Sequence, residues 1–380
     1  MSQYISVLPQ AQKAYYTAND VVDFRITSTG CDLVASSFRL NGTLKVSNGG
    51  GVLDAGDRCF YDHFCGVHSL FTQISTQTDM LGEIEGIVNY PRLVRMWREQ
   101  NVDETQLASE SRFVSEGCAQ SDMSTVFTLT ATGAGGLPFS AKPLICLNST
   151  NGNIPTSKTG AITVSVRLAQ VLEAFFSQSV AGLPAGTSYQ ITDFTMTFQT
   201  LPQAPKPGQV VMRIYKSLQQ YMDSDVSSFR SVVPVVATCV SASFLTIAHM
   251  NSGQFNNYAT EVPSGSVSRV EVSINDQVSG GLLTYPLTSQ GEILSQYKQS
   301  LSGASVFDSL SREERTNPRP QSDIAVLVAV PQPQCYGVGF NFETPIDFSQ
   351  SAFGLQLTSG VAANGTPMFI YLYFAGLKVF

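Results

Sequence analysis

Charge is scarce in this chain. Of its 380 residues only 13% are Asp, Glu, Lys or Arg, about half the usual share of ~25%. The surface left over is neutral and polar, made of Ser, Thr, Gln and Asn. Such a surface suits burial against further copies of the same chain, because neutral polar groups lose less on desolvation than ions do. A basic arm is also missing. Lys13 and Arg25 are the only basic residues among the first thirty, and the net charge is −7. Phosphate neutralisation by counterion release needs clustered Lys and Arg, so direct nucleic-acid binding, sequence-specific or not, is not expected.

Other absences narrow the function further. The seven cysteines, at 31, 59, 65, 118, 146, 239 and 335, are odd in number and scattered, which argues against a disulfide framework. The opening "MSQYISVLPQ" lacks the basic and apolar regions of a signal peptide. Reduced thiols and synthesis in the cytoplasm are the expectation. The glycine-rich "TGAGG" (132–136) has no lysine, and neither a G-x-S-x-G nor an H-E-x-x-H motif occurs. Asn-x-Thr sequons stand at Asn41, Asn148 and Asn364; without a secretory signal they are expected to carry no glycan. The uncharged run 231–250 is long enough to span a bilayer. Pro234 and five Ser or Thr residues interrupt it, and two consecutive strands fit it better.

Histidine is rare, with three in the chain, and two of them fall in "CFYDHFCGVH" (59–68). Cys59, His63, Cys65 and His68 form a candidate metal cluster, and with it a candidate metal hydrolase. A structural zinc site draws its ligands as two separated pairs onto one tetrahedron. In an extended chain His63 and Cys65 share a face while His68 points the other way. The expectation is a packed, metal-free approach to a strand. A Cys65/His68 nucleophile pair is disfavoured as well, because catalytic pairs come from different elements. Glu83 and Glu85, beside Gly82 and Gly86, read as a solvated acidic turn. The mixed-sign stretch "DSLSREERTNPRP" (308–320) reads as a solvated loop or subunit contact.

What is present in quantity is strand signal. Alternating or β-rich runs cover 21–30, 36–51, 161–170, 188–200, 268–276, 322–330 and 367–380. In "ITDFTMTF" the apolar Ile191, Phe194, Met196 and Phe198 stand against Thr. Helical signals are few: 90–101 with Pro91 in its first turn, an ambiguous 167–176, and 289–301 with a Ser289/Glu292 capping box. Pro202, Pro205 and Pro207 with Gly208 make 201–209 a connector that cannot sit centrally in a sheet. It divides the chain into an N-terminal extension (1–20), a first unit (21–200) and a second unit (210–380). The halves repeat an order of strand, turn, Tyr-Pro and short helix, with Tyr90-Pro91 matching Tyr285-Pro286. Two tandem eight-stranded jelly rolls, an all-β chain with short helices in its connections, follow from that order. Immunoglobulin-like sandwiches are too short for halves of this length.

The segment "VHSLFTQISTQTDMLGEIEGIVNYPRLVRM" (67–96) resembles a stretch of the double-jelly-roll major capsid proteins of polinton-like viruses, adintoviruses, virophages and membrane-containing phages. In that family a His-Ser-Leu-Phe entry leads into a strand, a turn and a Tyr-Pro start to a short helix. His68, Ser69, Leu70, Phe71, Tyr90 and Pro91 occupy those positions here, with "TQTDMLGE" in place of the usual Asn-Gly turn. The run 159–202 resembles the close of a first jelly roll in the same family. The resemblance implies a structural protein of the virion, with no cofactor, no metal and no catalytic residue. Three copies would form a pseudo-hexagonal capsomer of an icosahedral shell. Its partners would be itself, minor capsid or penton proteins and, in some shells, an internal membrane. The rival readings are a non-assembling, lectin-like β-sandwich for binding or attachment, and a single-jelly-roll capsid protein with a protruding domain.

Overall fold

The computed structural model describes residues 2–27, 30–48, 59–60, 65–101, 136–150, 152–177, 186–203, 210–222, 228–233, 240–249, 269–274, 283–286, 300–301, 338–348, 352–358 and 368–379. Twenty strands run through them. The first half holds β1 (Gln3–Val7), β2 (Val21–Ile26), β3 (Cys31–Val34), β4 (Arg39–Asn48), β5 (Cys59–Phe60), β6 (Phe71–Thr78), β7 (Gly82–Val88), β8 (Leu137–Ala141), β9 (Asn153–Pro155), β10 (Ile162–Leu168), β11 (Phe176–Ser177) and β12 (Thr187–Pro202). The second half holds β13 (Val211–Met222), β14 (Ser228–Val233), β15 (Val240–His249), β16 (Arg269–Ile274), β17 (Leu283–Pro286), β18 (Val338–Ile346), β19 (Phe353–Thr358) and β20 (Met368–Val379). The helices are short: α1 (Tyr90–Asn101), α2 (Cys146–Ser149), α3 (Thr156–Thr159), α4 (Val171–Ala174) and a 3-10 turn at Gly66–Leu70.

The pairing order identifies the architecture. Without the accessory strands β3, β5, β9 and β11, each half has eight strands. In the first, one sheet runs β1-β12-β4-β8 and the other β2-β10-β6-β7. In the second, the sheets run β13-β20-β15-β18 and β14-β19-β16-β17. Numbered within each half, both give the orders 1-8-3-6 and 2-7-4-5. That is the jelly-roll order, made twice. The halves are not separate sandwiches: β7 pairs in parallel with β13 at Gly86 and Lys216. One eight-stranded sheet therefore runs through both rolls, β18-β15-β20-β13-β7-β6-β10-β2.

Period-2 patterning builds the cores. Along β12, Tyr189, Ile191, Phe194, Met196 and Phe198 are buried while the residues between them are less so. A bulge between Thr192 and Thr195, with Asp193 at φ 53°, carries the extra residue. It re-aims Phe194 into the space between the sheets. There Phe194 meets Phe24 and Phe71 from one sheet and Phe139 from its own, at centroid distances of 5.2, 6.2 and 6.3 Å. The second roll repeats the device with Phe353 of β19 against Phe374 of β20, at 4.9 Å and edge-on. Aromatic pairs in this geometry add to simple area burial. Gly42 on β4 is needed for close approach, since a methyl group there would stand 2.9 Å from both Ile191 and Phe139.

Several details depart from the sequence reading. β1 lies within residues 1–20, expected as an extension, yet it is hydrogen-bonded along β12 from Gln3 to Val7. The ambiguous 167–176 is both things, a strand to Leu168 and then one helical turn. Tyr90-Pro91 opens α1, whereas Tyr285-Pro286 lies inside β17, paired with Val270 and Arg269. The halves thus repeat in strand order, but the two Tyr-Pro pairs do not superpose in element. Proline is tolerated at the end of an edge strand, where its missing N–H is not required. The run 231–250 contributes to β14 and β15, and no helix among the described residues is long and apolar enough to cross a membrane. Strand 322–330, the helix start at 289–299 and the connector residues 204–209 lie outside the described residues.

Candidate functional site at the joint between the rolls

Among the described residues, a set of buried and half-buried polar contacts gathers at the joint between the two rolls. It is built on β7. Its sequence "GEIEGIV" alternates, so Glu83 and Glu85 should share a solvent face. The pairing with β6 breaks that alternation: Thr76 faces Glu85 and Gln77 faces Glu83, leaving Ile84 as the extra residue of a bulge. Ile84 and Glu85 both turn inward in consequence. The expected solvated pair is therefore corrected. Glu83 stays exposed, and Glu85 is 0% exposed.

Burial of a carboxylate is tolerated when its oxygens are bonded. Glu85 Oε2 accepts the Cys146 N–H at 2.8 Å, at the start of α2. Glu85 Oε1 accepts the Tyr215 N–H at 2.8 Å, on β13. One side chain thus ties a helix of the first roll to the first strand of the second. Burial pushes the Glu85 carboxyl up to about 7, opposed by these two N–H donors, by the Cys146 thiol and by Lys216. The Cys146 thiol is itself pushed upward, first by burial and then by the charge on Glu85. Burial also raises Tyr215.

Around this centre the seam is stitched by polar pairs. Lys216 meets Glu83 at 3.0 Å near the surface. The Ser217 hydroxyl accepts the Val88 N–H and donates to the Val88 carbonyl. Asn89 Nδ2 donates to Gln219 Oε1 at 3.3 Å. The Tyr373 hydroxyl, on β20, donates to the Asn89 carbonyl at 3.0 Å, and the Arg92 guanidinium lies over the Tyr371 ring at 4.6 Å. The start of α1 is thereby held by two strands of the second roll.

Cys65 and His68 pack against the start of α1. Cys65 and His68 are both buried, His68 within the 3-10 turn that feeds β6. Cys65 Sγ donates to the Pro91 carbonyl at 3.2 Å. His68 Nδ1 and the Tyr90 hydroxyl share a hydrogen bond of 3.1 Å, and the same hydroxyl accepts the Leu144 N–H at 2.8 Å. Cys59 lies in β5, paired with Ser177 of β11, and His63 lies outside the described residues. Among the described residues no three His, Cys, Asp or Glu side chains converge as a metal set would. The residues that carried the family resemblance, His68, Ser69, Leu70, Phe71, Tyr90 and Pro91, are all buried. They form the packed base of the joint.

Two sequon asparagines are structural. Asn148 accepts the Phe38 N–H and donates to the carbonyls of Phe38 and Pro143. Asn41 donates to Thr197 Oγ1 and accepts from Ser140 Oγ within the sheet.

Solved structures share this fold along nearly the whole chain. The Faustovirus major capsid protein aligns with a TM-score of 0.60 at 10% identity, covering 100% of this chain and 90% of its own. PBCV-1 VP54, fitted into a reconstruction of the virophage Sputnik, gives 0.58 at 10% identity, with coverages of 100% and 94%. The mavirus major capsid protein gives 0.52 at 11% identity, with coverages of 99% and 88%. The chain has the double-jelly-roll fold. No family model and no curated protein matches the sequence, so the likeness lives in the double jelly roll itself and not in residue identity.

Proposed function

We propose that this chain is the structural major capsid protein of an icosahedral virus, acting by shape and burial and not as an enzyme. The observation that carries the reading is the joint: two rolls of the same strand order, fused through one eight-stranded sheet and locked by Glu85. A pair of like rolls fused through one sheet can serve as a repeating building block of a shell. Solved structures of the same double-jelly-roll fold are named as major capsid proteins, which supports the reading. Residues 21–202 and 210–380 are its two domains, with β1 added to the first and 203–209 as the connector, since Leu201 and Pro202, read from the sequence as part of the connector, still pair with β3. Three copies form a pseudo-hexagonal capsomer, and capsomers tile the shell of the virion with minor capsid or penton proteins at special positions. The near-absence of basic clusters fits a wall that leaves the genome to other proteins or to an internal membrane.

Electron micrographs of the purified protein test this. Trimers or shells are the expected result. Monomers with glycan affinity overturn it in favour of a lectin-like module.

A further inference from the structure

The joint inside the chain is made by two sheet edges of defined kind: the fifth strand of the first roll, β7, and the first strand of the second, β13. Because the rolls share one strand order, the chain carries a second set of the same two edges. β1 is the first strand of the first roll, and β17 is the fifth strand of the second. Among the described residues β1 pairs only with β12, and β17 only with β16. The edge at β1 is also exposed, Tyr4 at 78% and Leu8, just past it, at 55%. An unpaired edge with apolar side chains is a template for another strand.

We propose, resting on the homotrimer reading, that β1 of one copy pairs in parallel with β17 of the next. The pairing completes a second eight-stranded sheet, β8-β4-β12-β1 joined to β17-β16-β19-β14, across the subunit boundary. It has the same make-up as the sheet already formed within the chain. The contact is head-to-tail, since β1 and β17 are different surfaces. A head-to-tail contact repeats around a ring and closes when its rotation allows. A ring of three copies would then contain six roll-to-roll joints, three inside chains and three between them, all formed by the same pair of edges.

The test places the photo-crosslinking residue p-benzoylphenylalanine at Tyr4 of the full-length protein. Isotopically heavy and light protein are mixed, assembled, irradiated and mapped by mass spectrometry, with mass in solution measured on the same sample. Paired strands lie about 4.8 Å apart, so mixed heavy-light adducts are expected within 283–286 and its immediate chain neighbours. The same probe at Met80, exposed on the β6–β7 turn, should give at least tenfold fewer adducts there. Trimers whose Tyr4 adducts map to other residues of the neighbour, or only within one chain, overturn the pairing and leave the trimer reading standing. A monomer without mixed adducts overturns both.

Discussion

Glu85 and Tyr215 are 130 positions apart in the chain, yet the carboxylate of one accepts the backbone N–H of the other at 2.8 Å with no water access. The second oxygen of the same carboxylate is equally committed, to Cys146. One buried side chain thus satisfies an N–H group of each roll, and its removal has a calculable cost. Glu85→Ala strips the acceptor from two buried N–H groups, each worth about 1–3 kcal/mol when left unsatisfied. A loss of about 3–5 kcal/mol is expected in denaturant unfolding of the purified protein. Glu85→Gln keeps one carbonyl oxygen and should cost roughly half as much. Equal stability of Glu85→Ala and the parent protein would mean the joint is held by other contacts.

The same residue gives the stability a pH slope of defined sign. In the unfolded chain this carboxyl titrates near 4.5, and in the folded protein near 7, because burial disfavours its charge. Between those values the folded state holds a proton that the unfolded state has released. Stability is then full below pH 4.5 and falls as pH rises to about 7, by about 3 kcal/mol from this residue. Asp20, whose partial burial is outweighed by Lys13 and Thr17 so that its carboxyl is held below its ordinary value, has the opposite slope, so the measurement is a difference. Unfolding midpoints of parent and Glu85→Gln from pH 5 to 8 should diverge toward acid, the parent gaining on the variant. Parallel curves would show that Glu85 does not titrate in this range.

How far this was legible beforehand depends on what each element needed. The strands and the two-roll architecture rest largely on period-2 patterning, which is local. β12 could be read from Phe194, Met196 and Phe198 alone. Glu85 could not. Its burial comes from a bulge at Ile84, and nothing in "GEIEGIV" distinguishes a bulged strand from a regular one. β1 was equally hidden, since "QYISV" offers only Ile5 and Val7 to the core and its partner lies almost 200 residues away. Cys65 and His68 were expected as packed residues on the approach to a strand, but their task as the base of the joint required Tyr90 and Pro91 to fold over them.

That task makes a prediction about metal. Cys65 and His68 spend hydrogen-bonding capacity on Pro91 and Tyr90, and both sit at 1% exposure or less. Purified protein should contain far less than one zinc per chain by elemental analysis, and chelator should leave its unfolding unchanged. Cys65→Ser keeps a donor for the Pro91 carbonyl and should cost less than about 1.5 kcal/mol. Stoichiometric zinc, lost together with stability in Cys65→Ser, would reverse the assignment. Tyr90→Phe, which leaves the Leu144 N–H without this acceptor, should cost more, about 1–3 kcal/mol.

Assembly should not depend on nucleic acid or on salt. Charged residues make up 13% of the chain, and its net charge of −7 offers no attraction to phosphate. The force between subunits must then come from burial of side chains and from strand pairing. Neither is screened as surface ion pairs are, whereas phosphate bridging weakens steeply with salt. An obligate contact of this kind buries about 2,000 Å² or more. Protein expressed without a genome and treated with nuclease should give, by light scattering, a trimer of about 123 kDa, three times the chain mass of 41.0 kDa. The same mass is expected at low and at molar salt. A 41.0 kDa monomer in both conditions would favour the binding module. A trimer lost on nuclease treatment would place the genome inside the assembly mechanism, and one lost only in molar salt would place ion pairs there.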